Sequence, residues 1–561
     1  MLKKQYSSPT DPSKEDQQSK VLTVRAILPW MVLMLLLIML PYFAAWITTP
    51  PAHQFMGSII NAYDTSVYLS AMRQGQEGAW LFQYTFSAEP ISPAFIYFPY
   101  IATGHLLRLL DVSVMMGFYS LYLIGSVLVM FSLLHWVRVI FPRQRRMQLT
   151  VWLLIVFGSG LGWLMLVLFQ LPIGALPDLT LPEWSLFLTM SSAPHFSFGL
   201  TAQILFFASV VQMMRGKNGR FYVIIPIITA FLLGLFYAFN LLVISITLAG
   251  YVLIRTVQAR RVLWADWINS FLIAIPVLPL LYYYGVWIQQ DATWKLIQST
   301  NNVIAPPSPL FVVVALGLLA PLAFIGSIRL VKEHRDLLPL IWGVVTLALI
   351  YAPVPYSGRF LMGLAVPVGT LAGFGLETAV LPALSRRKIY TIIQKYSPTP
   401  YDTIRRLILI LTIPSGIMSV AILFQFGVTQ PDYPLYLPEA DVEAALWFSE
   451  NSNADSLIMS GHAMGNYLPR VSNSHVFIGQ LFLTVDYDEK LEQSTLFWQA
   501  DSSPAWREEL IQTWDISYIY YGTMEKKITD GHDLSLPGHV VYDKDGVLIF
   551  DVRHDGRVLQ P

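Results

Sequence analysis

The hydrophobic pattern divides the chain into two unlike parts. Up to about residue 430 long apolar runs recur between short polar stretches; beyond it the runs are short and mixed with polar positions. A run of about 20 apolar residues crosses the hydrocarbon core of a bilayer as one helix. On that measure eleven crossings are expected, at 26–48, 113–137, 149–170, 197–214, 221–234, 237–254, 267–287, 309–328, 337–352, 360–379 and 407–427. Residues 93–110 are also apolar enough to cross, or to lie as a re-entrant or interfacial segment, so eleven to thirteen spans are allowed. The stretch 221–254 is too long for one crossing and is basic at both ends. It predicts a hairpin of two short helices bent at Tyr237-Ala238-Phe239-Asn240.

The expected architecture is a polytopic α-helical membrane protein with a soluble C-terminal α/β domain. A polar, disordered tail covers 1–25, a membrane domain with a large loop at 49–92 covers 26–429, and the soluble domain covers 430–561. In that last part 438–448, 486–498 and 503–514 read as helices, 456–460 and 516–521 as strands. Lys544-Asp545-Gly546 is a hairpin turn between two further strands. The first apolar run has no convincing cleavage site after it and reads as a signal anchor.

Composition agrees. Hydrophobic residues make up 55% and charged residues 13%, against about 25% charged in soluble domains. The formal net charge is zero, which gives no basic excess to attract nucleic acid. There is no cysteine, so disulfides, thiol catalysis and thiolate metal sites are excluded. Basic clusters mark the cytoplasmic ends of spans. Placing those at 3–25, 138–146, 215–220, 255–261, 329–335 and 386–406 inside puts the N-terminus in the cytoplasm of a multi-pass plasma-membrane protein. The loops 49–92, 171–196, 288–308 and 353–359, with the C-terminal domain, then lie on the extracytoplasmic side.

Candidate chemistry gathers on that side. Asp64-Thr-Ser-Val-Tyr68 and the following Ala71–Trp80 stretch read as an interfacial helix ending at glycines. A carboxylate partly desolvated at the bilayer edge can act as a general base; equally, Asp64 can simply cap a surface helix. Arg359, behind Pro353, Pro355 and Gly358, has the fork geometry for phosphate, or snorkels to headgroups; Arg73 is the weaker cation. Tyr68, His105, His195, Tyr237 and Asn240 are candidates to line a cavity, against the alternative of capping or packing. In the tail, His462-Ala-Met-Gly-Asn466-Tyr467-Leu-Pro-Arg470 follows a strand, where α/β loops often bind ligands, although its Gly, Asn and Pro also suit any surface turn. The outer loops carry no metal-binding spacing, so a divalent metal has no direct support.

The Asp64–Trp80 segment, with its D-x-x-x-Y and G-x-x-G-x-W pattern, resembles a bacterial subgroup of the GT-C superfamily of integral membrane glycosyltransferases, to which protein O-mannosyltransferases and aminoarabinose transferases belong. The 351–375 segment, 465–470, 484–490 and 518–525 resemble it too, so the similarity covers almost the whole chain. The resemblance implies a sugar on a polyprenyl phosphate as donor and a glycan, lipid or protein as envelope acceptor. It implies inverting transfer at the extracytoplasmic face, with the loop acid, Asp64, as general base. Glu77 and Glu89 are the nearest second acids. At the hairpin bend the subgroup is expected to carry His-Pro-Tyr-Asp, where this chain has Tyr237-Ala238-Phe239-Asn240. That departure keeps a non-catalytic lipid-binding or envelope-assembly protein as the alternative, with a transporter behind it.

Overall fold

The computed structural model describes residues 21–216, 221–301, 303–529 and 534–553. Most of the expected polar tail lies outside them. Among the described residues six helices are long and apolar enough to cross a membrane: Val24–Ile47, Val114–Ile140, Pro194–Met214, Asn240–Ala259, Trp264–Gln290 and Ser357–Leu384. Three pairs qualify only together, each bent at a short break: Arg145–Phe157 with Gly162–Phe169 (44°), Pro309–Leu316 with Leu319–Lys332 (85°) and Pro400–Leu411 with Pro414–Thr429 (40°). Tyr222–Phe236 and Leu338–Leu349 are shorter apolar helices.

All eleven predicted segments are therefore helical, but six to nine reach the length of a span, fewer than the eleven to thirteen expected. Glycine and proline interrupt several of the runs. Residues 93–110 fall short for the same kind of reason. Their helix, Phe98–Leu110, has 13 residues, or about 20 Å at 1.5 Å per residue, against a hydrocarbon core of about 30 Å.

The three breaks complete one another. Backbone groups released at a break must find partners when water is absent. Ser159 N–H donates to the Thr412 carbonyl and Leu161 N–H to the Val314 carbonyl, at 2.6 and 2.9 Å. The Ser415 hydroxyl donates to the Gly160 carbonyl and accepts from Trp163 N–H. The backbones pack so closely that a methyl group on Gly160 would stand 2.2 Å from the Ala315 carbonyl oxygen.

The chain forms two compact units. One holds the segment ending at Met39, with Tyr122–Leu281 and Ile304–Ile422; the other holds Leu40–Leu121, Tyr282–Val303 and the chain from Leu423 onward. The second unit thus joins the 49–92 loop to the C-terminal domain. Its five-stranded sheet comprises β3 (Leu457–Met459), β4 (His475–Val476), β5 (Tyr518–Tyr521), β6 (His539–Lys544) and β7 (Val547–Asp551) in the order β4-β3-β5-β7-β6. The β4-β3-β5 part is parallel, and β7 and β6 are antiparallel. Alternation along β5 sends Tyr518 and Tyr520 into one core with Phe448 and Ile458, and Ile519 and Tyr521 into the other with Phe477 and Trp498.

The loop is stitched into this unit by backbone pairing. Strand β1 (His53–Phe55) pairs antiparallel with β2 (Tyr436–Pro438), and Ser87 bridges to Ile478. The helix Ala62–Glu77 ends at Gly78, whose φ of +113° suits glycine. Gly75 does not end it, as the sequence suggested, but lies inside, against Phe98–Leu110. A methyl group there would stand 2.1 Å from the Ile101 carbonyl oxygen, and one on Gly104 would stand 2.0 Å from that of Met72. Gly75→Ala is expected to destabilise the protein by about 1–3 kcal/mol through this overpacking. A lowered melting temperature in detergent checks it; an unchanged one contradicts the close crossing.

A buried acid couples the sheet's stability to pH. Glu525, fully buried, accepts N–H bonds from Gly461 at 2.7 Å and Gly522 at 3.1 Å, the residues that follow β3 and β5. Burial, with the Asp441 carboxylate nearby, pushes its carboxyl up from 4.5 to about 8. Between those values the folded protein holds a proton that the unfolded chain releases. Stability is therefore full below about pH 4.5 and falls as pH rises towards 8, by at most about 5 kcal/mol. Melting of the full chain between pH 5 and 9 should show this loss, and Glu525→Gln should flatten it. Parallel curves would contradict the assignment.

Candidate active site

In the second unit, Asp64 lies in the first turn of Ala62–Glu77, where a carboxylate is favoured by the helix dipole. Gln480, buried in the segment after β4, donates to Asp64 Oδ1 through Nε2 at 2.8 Å. Tyr63 beside it is exposed and meets the ring of His462, with Tyr433 and Tyr487 on that ring's other sides at centroid separations of 5.6–5.9 Å.

The expected loop at His462–Arg470 is helical instead: His462–Tyr467 is an α-turn and Leu468–Arg470 a 3₁₀ turn, largely buried. His462 Nδ1 lies 3.0 Å from the Gly479 carbonyl and 3.0 Å from the Tyr487 hydroxyl. A carbonyl only accepts, so the proton sits on Nδ1 and Nε2 is left as the acceptor. Burial holds this imidazole below its usual range, so it is neutral at pH 7. Asn466 donates to the Tyr433 hydroxyl at 3.0 Å. Arg470 donates to the Met56 carbonyl and lies over the Tyr467 ring.

Other predicted residues have structural partners. Arg73 donates to the carbonyls of Pro469, Arg470 and Ser472 and pairs with Glu77 at 2.5 Å, so its guanidinium ties the helix to the tail. Glu77 also accepts from Asn473. Glu89 pairs with the buried Lys490 at 2.5 Å. Tyr68 stacks on Tyr100 and His105 on Trp80, at 4.6 and 4.0 Å.

The first unit carries a second cluster. The helix break at 237–239 places Tyr237 and Asn240 in the interior. Arg359 Nη1 pairs with Glu183 at 3.0 Å, and the Tyr237 hydroxyl lies 3.2 Å from both the Glu183 carboxylate and the Arg359 carbonyl. Phe239 lies under the guanidinium. Asn240 donates to Gln203 and to the Met362 carbonyl, both at 2.9 Å. Gly358 N–H bonds to the Ile304 carbonyl, which fixes the Arg359 turn. Of the neutral residues at the bend, Tyr237 and Phe239 thus meet the Glu183–Arg359 pair. His195, second in Pro194–Met214, packs on Phe196, which meets Tyr237.

Sequence reasoning missed Glu183 and Gln480. Glu183 was legible as one of two acids in the apolar stretch 171–196; Gln480 had no signal, being neutral and outside any motif. Among the described residues no group of three His, Asp or Glu side chains is placed to hold a metal ion.

No family model matches the sequence, and no curated protein matches it significantly. Solved structures do match. The oligosaccharyltransferase AglB of Archaeoglobus fulgidus, solved with an inhibitory peptide and a dolichol-phosphate, superposes with a TM-score of 0.50 at 12% identity, over 87% of this chain and 69% of that one. The apo form of ArnT from Cupriavidus metallidurans superposes with a TM-score of 0.50 at 11% identity, over 94% and 98%. The mycobacterial arabinofuranosyltransferase AftD gives 0.55 at 13% identity, over 96% of this chain but 40% of its own length.

Proposed function

We propose that this chain, a multi-pass membrane protein with the GT-C glycosyltransferase fold, transfers a sugar from a polyprenyl phosphate to a hydroxyl-bearing envelope acceptor at the extracytoplasmic face. The observation that carries the reading is Asp64: on this fold, an acid in the first turn of the loop helix after the first span, its carboxylate oriented by a buried amide donor. A dolichol-phosphate bound to AglB is the kind of lipid such a fold accommodates.

In this reaction Asp64 takes the proton of the acceptor hydroxyl. The oxygen attacks the anomeric carbon from the side opposite the phosphate, the carbon–oxygen bond to the phosphate breaks, and polyprenyl phosphate leaves with the electron pair. One displacement inverts the configuration. The guanidinium fork of Arg359, paired with Glu183 in the first unit, has the chemistry of a donor-phosphate cation. His462, neutral and with Nε2 as an acceptor, suits a hydroxyl on the acceptor side. Glu77 and Glu89, engaged with Arg73 and Lys490, are less suited to act as a second acid.

Purified protein incubated with radiolabelled polyprenyl-phosphate sugars and an envelope acceptor fraction tests this. Label moving to the acceptor with inverted configuration supports the reading. Donor binding without turnover of any donor would support a lipid-binding protein instead.

A further inference from the structure

We infer that Gln480, from the C-terminal domain, is the positioning residue of Asp64, so that this domain is a working part of the transfer site rather than a cover for it. The inference rests on Asp64 being the base.

The amide of Gln480 is fixed at both ends. Oε1 accepts from the Phe482 N–H at 2.7 Å, so the group facing Asp64 Oδ1 at 2.8 Å must be the NH₂. The side chain is 99% buried, being 1% exposed, which removes competing water. Its own carbonyl accepts from Leu483 and Thr484 N–H, both at 2.9 Å, closing a tight turn. That turn is held to the loop on which Asp64 stands. Thr484 Oγ1 accepts from Gly479 N–H and donates to the Phe86 carbonyl, the Tyr84 hydroxyl donates to the Leu483 carbonyl, and Ser87 bridges to Ile478.

A donor locked in this way does two things for a base. It fixes the direction in which the carboxylate faces. It also favours the ionised carboxylate, because a hydrogen bond to the charged form lowers its affinity for a proton. A network of this kind is not needed to hold the domain in place, since β1–β2 pairing and the Arg73 contacts already do so.

The test compares wild type with Asp64→Asn, Gln480→Met and Gln480→Glu. Met keeps the volume and loses the donor. Glu keeps the acceptor for Phe482 N–H but sets a second carboxylate against Asp64, so a melting curve for each variant is read alongside the rates to separate a folding effect. With Asp64→Asn inactive, Gln480→Met should lower kcat about ten-fold with donor KM unchanged. The acid limb of the pH–rate profile should move up by about one unit, and further in Gln480→Glu. Carboxyl footprinting of Asp64 against pH reads the same shift without substrate. Wild-type kcat, an unmoved limb and coincident footprinting midpoints in both variants overturn the inference. Transfer that survives Asp64→Asn overturns the base assignment instead.

Discussion

Asp64→Asn loses transfer by roughly 10²–10⁴-fold, the usual contribution of a general base, while the melting temperature and donor binding stay at wild-type values. The substitution suits the purpose because the amide oxygen of Asn still accepts from Gln480 Nε2, so the 2.8 Å contact and the helix start survive. The carboxylate that accepts the proton is gone. A variant that lost donor binding or melted early would show that Asp64 holds the loop instead. Initial rates, detergent melts and donor binding on the same preparations separate the two outcomes.

The second large effect lies at Arg359. Removing one member of a buried ion pair leaves the other charge without compensation and costs about 3–5 kcal/mol. Glu183 is buried, with a side chain 2% exposed, so Arg359→Ala should melt early as well as lose activity. Arg359→Lys keeps the charge but not the fork, and is expected to raise the donor KM roughly ten-fold. The double variant Glu183→Gln with Arg359→Gln removes both charges together and should recover most of the stability. If it melts like wild type and still fails to transfer, Arg359 handles phosphate in addition to its structural pairing. If it transfers normally, the pair is structural only. Melting curves and donor KM values decide this.

The membrane pattern was legible because it is local. A run of Leu, Ile, Val and Phe reports its own burial, and each of the eleven runs is helical. The hairpin was legible for the same reason, since 34 residues with basic ends exceed one crossing, and the helices stop at Phe236 and resume at Asn240. Breaks were harder to see. Gly158, Gly160 and Gly317 look like ordinary glycines, and their meaning depends on backbone partners far along the chain, such as Thr412 for Ser159.

The candidate site divides in the same way. Asp64 stood out because an acid after a span is costly and uncommon. Arg73 and Arg470 also stood out, yet their guanidinium groups are largely engaged with backbone carbonyls. A sequence gives a cation's position but not the acceptors that meet it. Glu183 becomes meaningful only with Arg359, 176 residues later, and Gln480 only with Asp64, 416 residues earlier. The helical turn at His462–Tyr467 reads as a loop in the sequence because Gly465 and Asn466 are turn residues. Yet a methyl group on Gly465 would stand 1.7 Å from the Ile478 carbonyl oxygen. That glycine serves a close backbone approach, not a bend.

The most direct measurement is release of polyprenyl phosphate during transfer, followed with the donor that labels the acceptor fraction. Wild-type protein should release one polyprenyl phosphate per sugar transferred, and Asp64→Asn, equally folded and equally loaded with donor, should release almost none. Equal release by the two proteins would contradict the role of Asp64 and move the chemistry elsewhere on the fold.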